Sequence, residues 1–239
     1  MSPLRTYWIA LQELVLFTLL LVTIEAVDTL FFANTLFDYG IRRGDFDHWY
    51  RIFFAPFIHD GWAHVFGNSM GILLLGSMVL VLGRDVLATV TFSAISVGGL
   101  GILFFGTPGV HAGASVIVYG YFGFLLANSL YCRSIHSIVL CILVVVFFRG
   151  LAWGMFPSGV PGVSWQSHLF GALGGLSAAA MLAKEAKRRA LAAADLPDDL
   201  PKIGRPWMTR RRSAAPKTLP FPPPAHTKPK KNQSLKTKD

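Results

Sequence analysis

The segment HAGASVIVYGYFGFLL, residues 111–126, decides what kind of protein this chain is, because it is apolar enough to lie inside a lipid bilayer. The run nevertheless begins beside a serine between small residues, in Gly113-Ala114-Ser115. Why a membrane helix should carry Ser115 at its first position depends on where the rest of the chain places that end of the helix.

The composition is that of a membrane protein with a charged tail. Hydrophobic residues make up 53% of the 239 residues and charged residues only 15%, whereas soluble domains carry roughly a quarter charged residues. The net charge of +9 lies entirely at the end of the chain, because residues 1–183 contain seven basic and eight acidic residues. With no aromatic or fold signature to accompany the charge, nucleic-acid binding is not predicted.

Apolar runs close to the length that a bilayer requires, about 20 residues, recur along the chain. Turn residues and charges separate six of them, at 7–33, 64–83, 86–106, 115–131, 137–156 and 168–183. The predicted fold class is an all-α membrane protein with six transmembrane helices in a domain of residues 1–183. Residues 184–200 are expected to extend the last helix or to form a juxtamembrane segment. Residues 201–239, rich in proline and positive charge, predict a disordered basic tail.

Basic residues prefer the cytoplasmic side of a membrane, which places both termini in the cytoplasm. The second, fourth and sixth helices then all begin on the outer side, near His64, Ser115 and His168. Free backbone N–H groups at helix N-termini favour negative charge. Three side chains that can take part in catalysis are therefore expected on one membrane face.

A serine nucleophile, an imidazole base and a site for an oxyanion are the parts that acyl transfer requires. We predict that Ser115 is the nucleophile and that His168 is the general base. His64 and Asn68 lie four residues apart and so share a helix face, and both can donate hydrogen bonds. Together with the Ser115 backbone N–H, they are predicted to bind the oxyanion. No acidic residue is obviously placed to complete a triad, so the prediction is a Ser–His dyad.

Three residues are expected to support this dyad. Tyr119 lies one turn beyond Ser115, where its ring can pack against His168. Gly171 and Gly175 lie on or near the face of the last helix that carries His168, and small residues at this spacing allow two helices to approach closely.

Simpler explanations remain open for each residue taken alone. Ser115 by itself is more often a helix cap, and a lone membrane histidine is more often an interfacial side chain. A metal site formed by His59, His64 and His168 is conceivable, but the spacing is not HExxH and no glutamate neighbours the pair. No metal and no cofactor are predicted.

Taken together, the motifs resemble those of the rhomboid intramembrane serine proteases. The matching pieces, in chain order, are Trp49-Tyr50-Arg51 leading to His59, then His64-Val-Phe-Gly-Asn68, then Gly113-Ala-Ser115 with Tyr119 and Gly120, then His168-Leu-Phe-Gly171 with Gly175. The resemblance implies a six-helix rhomboid-like bundle over residues 1–183.

The resemblance also implies a function. Ser115 and His168 would hydrolyse peptide bonds in or near the transmembrane segment of membrane-protein substrates, with His64 and Asn68 as oxyanion donors. The resemblance assigns supporting roles to the other motif residues, which are Gly113, Tyr119, Gly171, Gly175, His59 and Arg51. The rival prediction is a rhomboid-like factor that binds membrane proteins without cutting them, but such a factor is expected to lack Ser115 or His168.

The chain departs from the family pattern at two positions. The family often has tryptophan directly before the loop arginine, whereas here Tyr50 separates Trp49 from Arg51. The family also commonly has glycine after the serine, where this chain has Val116. The larger side chain is expected to alter the fit of substrates without removing a catalytic group.

The expected partners are transmembrane protein substrates and the lipid bilayer, in a bacterial inner membrane. The basic tail has the charge to bind anionic lipid at the inner surface.

Overall fold

The computed structural model describes residues 3–132, 134–157 and 164–194. The predicted tail of residues 201–239 lies outside the described residues.

The described chain is mostly helical. The helices are α1 (Pro3–Phe31), α2 (Arg51–Phe54), α3 (Trp62–Leu80), α4 (Arg84–Phe105), α5 (Ser115–Cys132), α6 (Ile135–Phe148), α7 (Gly150–Trp153) and α8 (Trp165–Ala194). Single 3₁₀ turns lie at Leu36–Tyr39, Phe46–His48 and Ala55–Phe57. The prediction of an all-α chain misses one small ladder, in which β1 (Ile41–Arg42) pairs antiparallel with β2 (Val110–His111).

Within the described ranges, four helices are long and apolar enough to span a membrane, so the chain is an integral membrane protein. They are Tyr7–Phe31, Trp62–Leu80, Arg84–Phe105 and Ser115–Cys132. A span over residues 137–156 is wrong in its bounds, because α6 is only 14 residues long and a break at Arg149 separates it from α7. The sixth helix begins at Trp165, three residues before His168. The crossing of the membrane by α6 and α8 stays a prediction.

Helix α5 lies at the centre of the bundle, and 13 of its 18 residues are buried. Phe124 and Leu125 are at most 1% exposed, whereas apolar side chains on the outside of α1 and α6, such as Leu30 and Phe147, are more than 70% exposed. Exposed apolar side chains of this size are expected on helices that face lipid. The sequence therefore places Ser115 at the end of the most enclosed helix.

The first and third glycines of α8, Gly171 and Gly175, hold it against α5. A Cβ atom on Gly171 would lie 2.5 Å from the backbone oxygen of Val116, and one on Gly175 would lie 2.0 Å from that of Gly120. Helix backbones this close leave no room for a side chain. The contact fixes α8 relative to α5 from Gly171 onward.

Residues 34–61 form a loop that packs beside the start of α5. Its exposed aromatic side chains include Trp49, Tyr50 and Phe54, and tryptophan and tyrosine are enriched at membrane–water interfaces. Arg51 lies within this loop, where its guanidinium group is 3.4 Å from an Asp45 carboxylate oxygen and 3.5 Å from the Gly40 carbonyl oxygen. The arginine therefore contacts loop residues.

Candidate active site

A cavity of about 560 Å³ lies at the N-terminal ends of α3, α5 and α8. Four predicted site residues line it, since α3 contributes His64 and Asn68, α5 contributes Ser115, and α8 contributes His168. Tyr119 lines it as well. The predicted supporting residues outside its lining are Gly113, Gly171, Gly175, His59 and Arg51.

Ser115 occupies the first position of α5 and is 7% exposed. The turn before it needs glycine, because Gly113 has φ of 112° and a Cβ atom there would lie 2.6 Å from the His64 ring. The Gly113 N–H donates to the Ala55 carbonyl oxygen at 2.9 Å, which ties the turn to the loop. No described residue forms a hydrogen bond with the Ser115 hydroxyl group.

The His168 ring is held from two sides. Its Nδ1 lies 2.9 Å from the carbonyl oxygen of Gly154, and the ring stacks on Tyr119 with centroids 4.0 Å apart and planes 8° apart. A carbonyl oxygen can only accept, so the neutral ring carries its proton on Nδ1 and leaves Nε2 free to accept one. The sequence predicted the contact with Tyr119 but not that with Gly154, since any residue can supply a carbonyl.

His64 has an acidic partner that the sequence analysis missed. Its Nδ1 lies 2.5 Å from Oδ1 of Asp60, which also lines the cavity. The two residues are four apart, a spacing that brings side chains together at a helix start, so this pair could have been recognised in the sequence. The carboxylate fixes the orientation of a ring predicted to bind the oxyanion, whereas a triad would require it beside His168.

The Asn68 amide gathers the hydrogen-bond donors of the site. When the amide is oriented with its oxygen towards these donors, the Asn68 oxygen lies 3.3 Å from the Ser115 backbone nitrogen, 3.2 Å from the Ala114 nitrogen and 3.1 Å from Nε2 of His64. This orientation gives the two backbone N–H groups an acceptor, whereas the opposite one sets the amide nitrogen against them. Since the Asp60 carboxylate accepts from Nδ1 of His64, Nε2 of that ring is a donor when both ring nitrogens carry a proton. The donors predicted for an oxyanion therefore converge on one acceptor position.

His59 supports this group from behind and is 2% exposed. Its Nε2 lies 3.3 Å from the Ala114 backbone nitrogen, and its ring packs edge-on against His64 at 5.0 Å. Burial, reinforced by the neighbouring His64, lowers the pKa of His59 to about 4. His59 is therefore a neutral ring at physiological pH. Across the described ranges, no three His, Cys, Asp or Glu side chains are grouped so as to hold a metal ion.

Val116 does not line the cavity. The expectation that Val116 alters substrate fit stays a prediction. Its side chain packs against α4, where a Cβ atom on Gly98 would lie 2.2 Å from Cγ2 of Val116. The absence of a side chain at Gly98 of α4 thus leaves room for the Val116 side chain of α5. The departure from the family pattern therefore lies at a helix contact, outside the cavity lining.

Comparisons with known proteins show what this chain is similar to. The family model described as "Rhomboid domain" matches residues 47–185. The chain is 34% identical over 209 residues to the uncharacterized protein Rv1337 of Mycobacterium tuberculosis, covering 83% of this chain and 87% of that protein. It is 26% identical over 197 residues to a Bacillus subtilis protein named "Putative rhomboid protease YdcA", covering 78% of this chain and 92% of that protein. The chain belongs to the rhomboid family.

Proposed function

We propose that this protein is an intramembrane serine endopeptidase that hydrolyses peptide bonds in or near the transmembrane segments of membrane proteins. The observation that carries the proposal is the convergence of Ser115, His168, His64 and Asn68 on one cavity within the apolar bundle. The family supports the reaction class, and the hydrogen bond from His168 Nδ1 to the Gly154 carbonyl oxygen supports a basic Nε2.

In the first step, Ser115 Oγ attacks the carbonyl carbon of the scissile peptide bond while its proton passes to Nε2 of His168. The serine and histidine close to hydrogen-bonding distance when substrate fills the cavity, as catalytic contacts often do only in the complex. The attack converts the carbonyl oxygen into an oxyanion. The Ser115 backbone N–H and His64 bind that oxygen, which replaces the Asn68 oxygen as their acceptor. Because Nδ1 of His64 donates to the Asp60 carboxylate, His64 donates from Nε2 as the imidazolium, with a proton on both ring nitrogens. The Asn68 amide turns and donates from Nδ2.

In the second step, the carbon–nitrogen bond breaks and the proton held by His168 passes to the leaving amine. Water then attacks the acyl-enzyme, giving its proton to His168 Nε2, and collapse of the second intermediate returns that proton to Ser115. Each tetrahedral intermediate uses the same oxyanion donors, and loss of one such donor typically costs about 3 kcal/mol of transition-state stabilisation.

Substrate entry is proposed between α3 and α6. The α3 side of the cavity carries Met70 and Leu74, which are 58% and 46% exposed, and α6 contributes Phe148. Helix α6 packs on α5 and is interrupted at Arg149, so it can move away from α3 without disturbing the contact between α5 and α8. A substrate helix must also unwind before its peptide bonds are accessible. Substrates with helix-weakening residues near the outer end of a span are therefore expected.

The proposed location is a bacterial inner membrane, with both termini in the cytoplasm and the cavity open to the outer side. The basic tail, outside the described residues, is proposed to bind anionic lipid at the inner surface.

The test is cleavage of a reporter transmembrane substrate in proteoliposomes by the wild type, Ser115→Ala and His168→Ala. Both substitutions should abolish cleavage, and a fluorophosphonate should label only chains that retain Ser115. Ser69→Ala is a matched control, because Ser69 is a buried serine of α3 that does not line the cavity. Its cleavage rate should stay within about twofold of wild type, as expected for a site outside the reaction.

Three outcomes are distinguishable. Cleavage that requires Ser115 and His168 supports the proposal. Labelling of Ser115 without cleavage would indicate an active serine whose substrate differs from the reporter. If the folded wild type neither cleaves nor takes up label, the protein is better described as a rhomboid-like binding factor.

A further inference from the structure

A histidine outside the predicted dyad links the segment before Ser115 to the helix that carries His168. His111 is 4% exposed, and both of its ring nitrogens have partners. Nε2 lies 2.9 Å from the carbonyl oxygen of Thr107, and Nδ1 lies 2.6 Å from the hydroxyl oxygen of Ser164. Because a carbonyl only accepts, the neutral ring donates from Nε2 and its Nδ1 accepts the Ser164 proton.

Ser164 in turn holds the first turn of α8. Its hydroxyl oxygen accepts from the Ser167 backbone N–H at 3.3 Å and lies 2.9 Å from the Ser167 hydroxyl oxygen. Its carbonyl oxygen accepts from the His168 N–H at 3.4 Å. Since the Ser164 proton points to His111, the Ser167 hydroxyl group donates to Ser164. Each hydroxyl group and ring nitrogen of this hydrogen-bond network therefore has a partner.

The other end of the link lies close to the nucleophile. His111 is four residues before Ser115, and β2 fixes its backbone by pairing it with Ile41. Gly106 lies close to the ring, since a Cβ atom on this glycine would lie 3.2 Å from His111 Nε2. His111 therefore cannot shift without moving the turn that ends at Ser115.

The glycine contacts between α5 and α8 do not replace this link. They place Gly171 against Val116 and Gly175 against Gly120, three and seven residues beyond His168, and neither glycine lines the cavity. At the cavity end, where His111 and Ser164 both line the wall, the two backbones are joined by side chains. A small tilt of the first turn of α8 would change the position of His168 without breaking the glycine contact.

We propose that the His111–Ser164 hydrogen bond sets the distance between Ser115 and His168, which makes His111 and Ser164 positioning residues for the proposed dyad. The inference rests on the proposed proteolytic function for its kinetic consequence, but its geometric consequence is independent of activity. A misplacement of about 1 Å can cost about a hundredfold in rate, so a single hydrogen bond at this position has a large effect.

The kinetic test compares Ser164→Ala with Ser164→Thr, which keeps the hydroxyl group, and with Ser93→Ala. The control removes another part-buried serine hydrogen bond, 2.8 Å long, in which Ser93 Oγ donates to the Gly174 carbonyl oxygen of α8, outside the cavity lining. Ser164→Ala should lower kcat about tenfold with little change in KM, and Ser164→Thr should restore it. Ser93→Ala should lower the melting temperature similarly while leaving kcat within about twofold.

The geometric test is the ¹⁵N spectrum of the histidine rings in detergent micelles, which needs no substrate. Ser164→Ala should shift the resonances of both His111 and His168, whereas Ser93→Ala should shift neither. If the His168 resonances stay in place, the positioning role is wrong even if the wild type is an active protease. If they move while the wild type cleaves nothing, the link stands and the proposed proteolysis fails.

Discussion

The contact between α5 and α8 differs between its two ends. Away from the cavity the helices meet through backbone atoms, and a Cβ atom on Gly123 would lie 2.4 Å from the Ala172 carbonyl oxygen. At the cavity, the stacked rings of Tyr119 and His168 lie between the helices. The difference shows how one helix pair provides both a rigid scaffold and room for a substrate. The backbone contact contributes no reactive side chain, and the side chains at the cavity depend on that contact for their position.

The largest effect is expected from breaking the rigid end. In Gly175→Ala, the new Cβ atom would lie 2.0 Å from the Gly120 carbonyl oxygen and 2.7 Å from the Phe124 nitrogen, both backbone atoms that cannot rotate away. The helices must separate, so we expect a loss of about 3 kcal/mol of stability or failure to fold. Thermal unfolding and size-exclusion chromatography in detergent measure this.

Gly67→Ala is the control for that substitution. Gly67 is also a helical glycine, on α3, but a Cβ atom there would meet nothing within 4 Å. Its melting temperature should be unchanged or slightly raised, because alanine favours helix. Equal melting temperatures for Gly175→Ala and wild type would mean that the helices are not in backbone contact.

The second effect is confined to the chemical end. In Gly154→Ala, the new Cβ atom would lie 2.0 Å from the Tyr119 hydroxyl oxygen and 3.4 Å from His168 Nδ1. Tyr119 should be pushed from its place against His168, which lowers kcat about tenfold while the protein stays folded. Tyr119→Phe removes the clashing oxygen, so Gly154→Ala should cost much less in the Tyr119→Phe background. Equal losses in both backgrounds would contradict the clash.

Sequence reasoning was most successful where position along a helix decides position in space. His64, Ser115 and His168 each lie near the start of a helix, and alternate helices begin on the same face, so their meeting at one cavity was predictable. The break at Arg149 was not, because an apolar run shows no interruption of backbone hydrogen bonds. The role of the Gly154 carbonyl group was not predictable either, because every residue type has a backbone carbonyl and the sequence does not show which one accepts from His168.

A third prediction concerns His59, behind the oxyanion donors. Its pKa of about 4 in the folded protein lies below the ordinary value of 6.5, so the unfolded chain takes up a proton that the folded protein excludes. Stability should therefore fall as the pH is lowered from 6.5 towards 4, by about 2 kcal/mol at pH 5. Thermal unfolding of wild type and His59→Gln at pH 7.5 and pH 5 isolates this contribution, and parallel pH dependences would show that His59 titrates normally.

The smallest effect separates two valines on α5 that differ in what they face. Val116 packs against Gly98 of α4, whereas Val118 lines the cavity and contacts Gly71 of α3. Val116→Ala should cost about 1 kcal/mol of stability and leave the relative rates for substrates with small and large residues at the cleavage site unchanged. Val118→Ala should shift those rates towards larger residues, because it enlarges the cavity wall. A panel of reporter substrates measures both variants. If Val116→Ala changes the ranking as much as Val118→Ala does, the residue after the serine acts on substrate after all, and the helix contact with Gly98 does not shield the site from it.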